Sequence, residues 1–125
     1  MNVVDSCGWL EYFANASNAD FFAPAIQDEE HLLVPSICLY EVYKCLHQQN
    51  GKQAALEGIS RLYRGNMIEI SDEIALQAAQ LSIEKSLPMA DSIILATARA
   101  YDAVLWTQDE HFEEIEGVRY IKKKA

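Results

Sequence analysis

Ala90-Asp91-Ser92-Ile93-Ile94-Leu95-Ala96-Thr97-Ala98-Arg99-Ala100-Tyr101, followed after two residues by Val104-Leu105-Trp106-Thr107, is the stretch that decides the fold. The first part reads as a helix. Pro88 stands just before it, and residues 93–98 carry no charge, so this helix is expected to be largely buried. The second part is a short apolar strand. A buried helix that feeds a buried strand is the repeating unit of an α/β sheet with a mainly parallel order.

The same alternation runs outward in both directions. Residues 1–4 read as a strand that stops at Asp5-Ser6, and residues 8–13 as a helix. Phe21, Phe22, Ala25 and Ile26 share a helical face. Residues 32–34 form a second strand, ended by Pro35. Ser36 is the expected N-cap of a helix to about residue 49, with Leu39, Val42 and Leu46 on one side and Asn50-Gly51 closing it. Ala55, Ile59 and Leu62 mark another helix, closed by Gly65-Asn66. Residues 67–70 are a third strand, and Ser71 caps a helix bearing Ile74, Ala78 and Leu81. A helical turn over residues 110–114 and a strand over residues 118–121 complete the pattern. The expected architecture is α/β, a three-layer sandwich with a mainly parallel central sheet of about five strands flanked by helices.

With 125 residues the chain has the length of one domain, and a hydrophobic share of 50% is ample for a core. The charge is 10 − 19 = −9. A diffuse basic surface is thereby excluded, so any nucleic acid would have to be met through metal ions, a local basic patch or a basic partner. The run Lys122-Lys123-Lys124 reads as a solvated segment. Asp5 interrupts any apolar leader, and the longest uncharged stretch, residues 32–40, contains Pro35 and is too short to span a bilayer. Three cysteines cannot all pair with one another, which favours a reducing cytoplasm. Cys38 and Cys45, two turns apart on one helix, read as packing thiols.

Four acids stand out. Asp5 ends the first strand and Asp109 follows the fourth by two residues, and ligands of open α/β sheets bind at the carboxyl ends of strands. Each alone is equally well a strand-end or capping residue. Asp91 opens the most apolar helix, where a first-turn acid is also favoured by the helix dipole. Glu41 sits among Ile37, Cys38, Leu39, Val42 and Cys45, with Lys44 the one cation within a turn; a surface Glu–Lys pair is the plain alternative. Four carboxylates gathered at one edge repel unless protonated, paired or bridged by cations. Few Lys or Arg lie near them in sequence, so divalent cations are the natural bridge, and oxygen ligands suit Mg²⁺ or Mn²⁺. Such a site suits phosphodiester chemistry. His31, His47 and His111 show no ligand spacing, nor do Cys7, Cys38 and Cys45.

These residues resemble the PIN-domain family of metal-dependent ribonucleases, in particular the small VapC-type toxins. The resemblance covers nearly all of residues 1–125, read as a single PIN-like nuclease domain. It rests on Val3-Val4-Asp5-Ser6, on Pro35-Ser36-Ile37-Cys38-Leu39-Tyr40-Glu41-Val42, on the stretch from Leu87 through Asp91 to Ala98, and on Thr107-Gln108-Asp109 with Phe112. It implies that Asp5, Glu41, Asp91 and Asp109 line one catalytic metal site, with Asp5 and Asp91 as principal ligands and Ser6 and Thr107 as supporting hydroxyls. It implies a Mg²⁺- or Mn²⁺-dependent endoribonuclease, the toxin of a toxin–antitoxin pair, with RNA as substrate, a small antitoxin as partner and a homodimer as assembly. Cys7 departs from the bulkier apolar or hydroxyl residue usual after the first motif, and Asp102 stands where many relatives carry Gly. Neither touches the four acids.

Trp9, Tyr12, Phe13, Phe21 and Phe22 are either core or, by the same resemblance, part of a groove for the antitoxin, with a docking helix expected near Trp9, Phe13 and Phe22. Arg61, Arg64 and Lys44 are candidate RNA contacts or ordinary surface charges. Two other functions fit the sequence less well. A PIN-fold scaffold that binds RNA or protein without cutting is disfavoured because none of the acids is missing. A phospho-accepting domain is disfavoured because Cys7 stands where a dehalogenase-like enzyme needs a second Asp, and no Lys follows in the way a receiver domain requires.

Overall fold

Short runs of β-branched and large apolar residues make the strands here, and each is followed by a residue that starts a helix or turn. The computed structural model describes residues 1–124. In chain order the elements are β1 (Asn2–Val4), α1 (Ser6–Phe13), α2 (Ala19–Gln27), β2 (Leu32–Pro35), α3 (Ser36–Asn50), α4 (Lys52–Leu62), β3 (Asn66–Ile68), α5 (Asp72–Lys85), α6 (Met89–Ala100), β4 (Val104–Thr107) and β5 (Val118–Tyr120). Single 3-10 turns occupy Glu29–His31 and Glu110–Phe112.

The five strands form one sheet in the order β3-β2-β1-β4-β5. Every neighbouring pair is parallel, so the expected mainly parallel sheet is parallel throughout. The first strand is thus the central one, pairing Val3 with Leu33 on one side and Leu105 on the other. Parallel neighbours need crossovers, and right-handed crossovers fix the layers. The chain steps outward from β1 to β3 through α1–α4, then returns past β1 to β4 through α5 and α6, which places the two groups of helices on opposite faces. Contacts agree: α1 packs on α2 and α3, α3 along α4, and α5 along α6.

The core is built from Val3, Val4, Leu33, Val34 and Leu105 in the sheet, with Trp9, Phe22 and Ile26 on α1–α2 and Ile94, Leu95 and Ala98 on α6. Alternation along β4 decides what faces the site. Trp106 turns towards α2, where its ring meets Phe21 at 5.3 Å. Leu105 and Thr107, both fully buried, turn the other way.

Local chemistry mostly follows expectation. Ser71 caps α5 by accepting the Ile74 amide, and Gly51, at φ +91°, closes α3 in a conformation that suits glycine. Asp102 takes φ +50°, as an Asp can. Several boundaries shift by one or two residues. Ser36 is the first helical residue of α3, and Pro35, inside β2, occupies the cap position without a side-chain bond. A proline there lacks only a donor that the helix start does not use. The third strand is Asn66–Ile68 rather than residues 67–70; Asn66 joins it because its side-chain amide bonds the Leu32 carbonyl at 3.0 Å. The last strand stops at Tyr120. Among the described residues no helix is long and apolar enough to cross a membrane.

Candidate active site

A parallel sheet sends all its strand ends, and the starts of the helices that follow β1 and β2, to one edge. Helix α6 joins them there, because it runs antiparallel to the strand β4 that it feeds. The expected site residues sit along this edge.

Asp5 is the N-cap of α1, so the ordinary capping reading is correct as far as it goes: its Oδ1 accepts the Ser6 amide at 2.8 Å. Its other oxygen does more. Oδ2 accepts the Thr107 hydroxyl at 2.7 Å and the Cys7 thiol at 3.3 Å. Asp5 is 3% exposed. Burial pushes its carboxyl up to about 7, and the charges of Asp91 and Asp109 add to this against the Thr107 and Cys7 hydrogen bonds. Burial likewise raises the Cys7 thiol well above the ordinary thiol range, so it stays protonated.

Asp91, in the first turn of α6, and Asp109, which caps the 3-10 turn after β4, meet across His111. The His111 Nδ1 lies 2.9 Å from Asp91 Oδ2 and 3.0 Å from Asp109 Oδ1. One donor atom from each of these three residues falls within 4.8 Å of the others. Burial, then the charge of Asp109, lifts Asp91 to about 6, with His111 working against the rise and Glu41 adding to it. The charge of Asp109 and the bond to Asp91 raise the His111 imidazole above its usual value. Glu41 enters through Ser6, whose hydroxyl donates to Glu41 Oε1 at 2.7 Å. Lys44 does not pair with it; its ammonium lies 5.6 Å from the Tyr40 ring centre instead.

The edge is therefore layered. Asp5 is buried beneath, held by Ser6, Cys7 and Thr107, while Asp91, Asp109 and His111 form a more open set above it, and Glu41 stands to the side on Ser6. Acids this close, with carboxyls displaced upward and a single half-exposed imidazole between two of them, suit a hard divalent cation. A mixed oxygen and imidazole set accepts Mn²⁺ as well as Mg²⁺.

Two features were not legible beforehand. The expectation that His111 stands apart is corrected: it closes the acid cluster. The available signal was its place two residues after Asp109, a spacing that a 3-10 turn folds back on itself. The second feature is a buried amide network. Asn18, 2% exposed, donates to Gln108 Oε1 at 2.9 Å, and Gln108 in turn donates to Glu11 at 3.1 Å. It locks the backbone between Thr107 and Asp109. Three further expectations are resolved. Trp9 and Phe22 are fully buried core, which removes them as docking residues, whereas Phe13 is only partly buried. Arg61 and Arg64 are both engaged by Glu29. Cys38 is buried against the Val4 carbonyl, as a packing thiol.

The PIN domain model matches residues 3–118. The chain belongs to the PIN domain family. Its fold is that of the VapC toxins found in VapBC pairs. It superposes on a toxin–antitoxin complex from Klebsiella pneumoniae with TM-score 0.81 at 26% identity, over 95% of this chain and 96% of that one. VapC20 of Mycobacterium tuberculosis, a sarcin-ricin loop cleaving toxin, matches with TM-score 0.75 at 16% identity over 93% and 95% of the two chains. The DNA-bound VapBC of Salmonella typhimurium matches with TM-score 0.72 at 16% identity over 98% of each. Comparison with curated proteins finds no match.

Proposed function

We propose that residues 1–125 form a single nuclease domain, a Mg²⁺- or Mn²⁺-dependent endoribonuclease that acts as the cytoplasmic toxin of a toxin–antitoxin pair. The observation that carries this reading is the convergence of Asp91, Asp109 and His111 at the edge of the sheet where Asp5 lies buried, with burial and mutual charge pushing the Asp5 and Asp91 carboxyls up in a way that calls for a cation. Asp5, Glu41, Asp91 and Asp109 would hold the metal, with Ser6 and Thr107 orienting Asp5 and Glu41 from behind. Bound there, the metal supplies activation of a water and charge stabilisation at the departing oxygen of a phosphodiester. The chain's own part is to fix the acids. Thr107 and the Ser6 amide prevent Asp5 from turning, and Asp109 is set by the Thr107 hydroxyl below its amide. His111 Nδ1 faces both Asp91 and Asp109 from the solvent side, at 2.9 and 3.0 Å.

The antitoxin is proposed to dock in a groove of about 460 Å³ between α1, α3 and α4, lined by Leu10, Phe13, Ala14, Leu46 and Gly58. A homodimer is proposed through α5, where Leu76 and Ile83, 73% and 77% exposed, share a face at i and i+7. The deciding test of the nuclease is cleavage of RNA by purified chain with Mg²⁺ or Mn²⁺. Asp91→Asn and Asp5→Asn should each reduce it to background while circular dichroism stays native. Wild-type cutting rates in either variant would remove the site assignment.

A further inference from the structure

The lysine run is exposed, as its sequence suggests, but its backbone at Lys122 is anchored beside the acid site. A cavity of about 400 Å³ opens beside the acids, and Cys7, Gln108, Asp109, Glu110, Tyr120, Lys122 and Lys123 line it. The backbone here is anchored rather than free. Beyond β5, the Ile121 amide donates to the Thr107 carbonyl at 3.1 Å. The Lys122 carbonyl then accepts from the buried Asn18 amide at 3.1 Å. That same amide group donates to Gln108, so one buried side chain ties the lysines to the turn that carries Asp109.

Several cations elsewhere are engaged, while Lys52, Lys85 and Arg99, like Lys122 and Lys123, form no ion pair among the described residues. Arg61 and Arg64 pair with Glu29. Arg119 lies 4.8 Å from the Trp106 ring centre, and Lys44 sits over Tyr40. Lys122 and Lys123 are exposed, and the ion pairs among the described residues do not involve them. In a chain of net charge −9, two free ammonium groups beside a cluster of acids are placed where an incoming polyanion would otherwise be repelled.

We propose that Lys122 and Lys123 hold the phosphate backbone of the RNA strand next to the bond being cut, that the Tyr120 ring offers a stacking face to an adjacent base, and that Asn18 is the positioning residue that keeps this strip in register with Asp109. The proposal rests on the nuclease reading and adds a binding subsite to it. Ammonium groups contact phosphates as point charges without reading sequence, and bases stack on an aromatic face with little sequence preference. The subsite therefore contributes affinity and register of the strand.

The test compares the full-length wild-type chain with the double variant Lys122→Gln/Lys123→Gln, using a short fluorescein-labelled single-stranded RNA and a series of salt concentrations. Both positions are on the surface, so the variant keeps its melting temperature and its Mn²⁺ affinity by calorimetry. The expected result is a raised KM with kcat unchanged. The magnitude of the salt slope should fall by about 0.7 for each lysine removed. Lys122→Arg/Lys123→Arg restores both. Unchanged KM and salt slope in the Gln variant, with the wild-type chain cutting normally, overturn this subsite alone. A wild-type chain that binds Mn²⁺ but neither binds nor cuts the RNA overturns the nuclease reading and the subsite with it.

Discussion

The Thr107 hydroxyl donates to Asp5 Oδ2 at 2.7 Å while accepting the Asp109 amide at 2.9 Å, so one buried side chain fixes the acid that follows β1 and the turn after β4 together. Thr107→Val keeps the shape and removes both bonds. A buried partner left without its hydrogen bond costs about 1–3 kcal/mol. Urea denaturation should show a loss in that range. Mn²⁺ affinity should fall as well, because Asp5 loses the donor that favours its charged form. Thr107→Ser, which keeps the hydroxyl, should recover most of both. A Val variant as stable as wild type would mean that Thr107 is mere filler.

Without metal, stability should decrease as pH rises. Asp5 and Asp91 are displaced up to about 7 and about 6. A carboxyl whose folded-state pKa lies above its unfolded value binds protons more tightly when folded. Its contribution to stability is complete below the ordinary carboxylate range and is lost as pH climbs through the raised value. His111, also displaced upward, acts in the same direction. Melting temperature in the presence of a chelator should therefore be higher near pH 5 than near pH 8, and Asp5→Asn should flatten the difference.

Divalent metal should reverse that trend. Mg²⁺ or Mn²⁺ binds the ionised acids and relieves their repulsion, stabilising by about 2.7 kcal/mol at a hundredfold excess over its dissociation constant. Affinity should weaken as pH drops below 7, where protons compete for the same oxygens. Calorimetry showing no binding at about pH 8, above both raised carboxyl values, would exclude the proposed centre.

Gly8 of α1 packs against Phe22 of α2 and Val4 of β1. A Cβ built there lies 2.6 Å from Phe22 Cε1 and 2.7 Å from Val4 Cγ1. Both neighbours are fully buried, so neither has room to yield. Gly8→Ala should destabilise the fold by about 1–3 kcal/mol, the usual cost of overpacking a core. Urea denaturation checks this, and Gly117→Ala is a useful contrast, since its cost would come from backbone strain at φ +83° in open space.

Ala14 is exposed at the end of α1 and lines the groove proposed for the antitoxin. Ala14→Arg fills that groove without entering the core. Co-purification with the product of the neighbouring gene should be lost, while stability shifts by no more than about 0.5 kcal/mol, as for ordinary surface changes. Metal-dependent RNA cleavage should persist, because the groove is built from residues other than the acids.

The sheet was legible because its strands are short apolar runs and because α6 has no charge across its middle; periodicity and burial alone lead to them. Asp5, Asp91 and Asp109 could be picked out because the ends of parallel strands share one edge, so a linear pattern implies a place. Glu41 was legible as an enclosed acid, but its partner was not: Ser6 is 35 residues away in sequence, and only the packing of α1 on α3 joins them. His111 was hidden by the 3-10 turn, which folds a spacing of two residues into one side-chain cluster. Trp9 and Phe13 share a helix and differ in fate, since apolar periodicity cannot say which aromatic residue lies under α2 and which borders a groove. The role of Asn18 depends on contacts 90 and 104 residues distant, beyond any local rule.

The central position of β1 has a consequence for the order of events when the protein is made. Its partner β4 is separated from it by about a hundred residues, and both must be in place before the edge that gathers Asp5, Asp91 and Asp109 exists. Such high contact order slows folding. It also makes the acid cluster an all-or-none property of the finished chain. A growing polypeptide still lacking β4 carries Asp5, Glu41 and Asp91 but no assembled centre, so whatever the cluster does begins only once the chain has left the ribosome far enough to close its sheet.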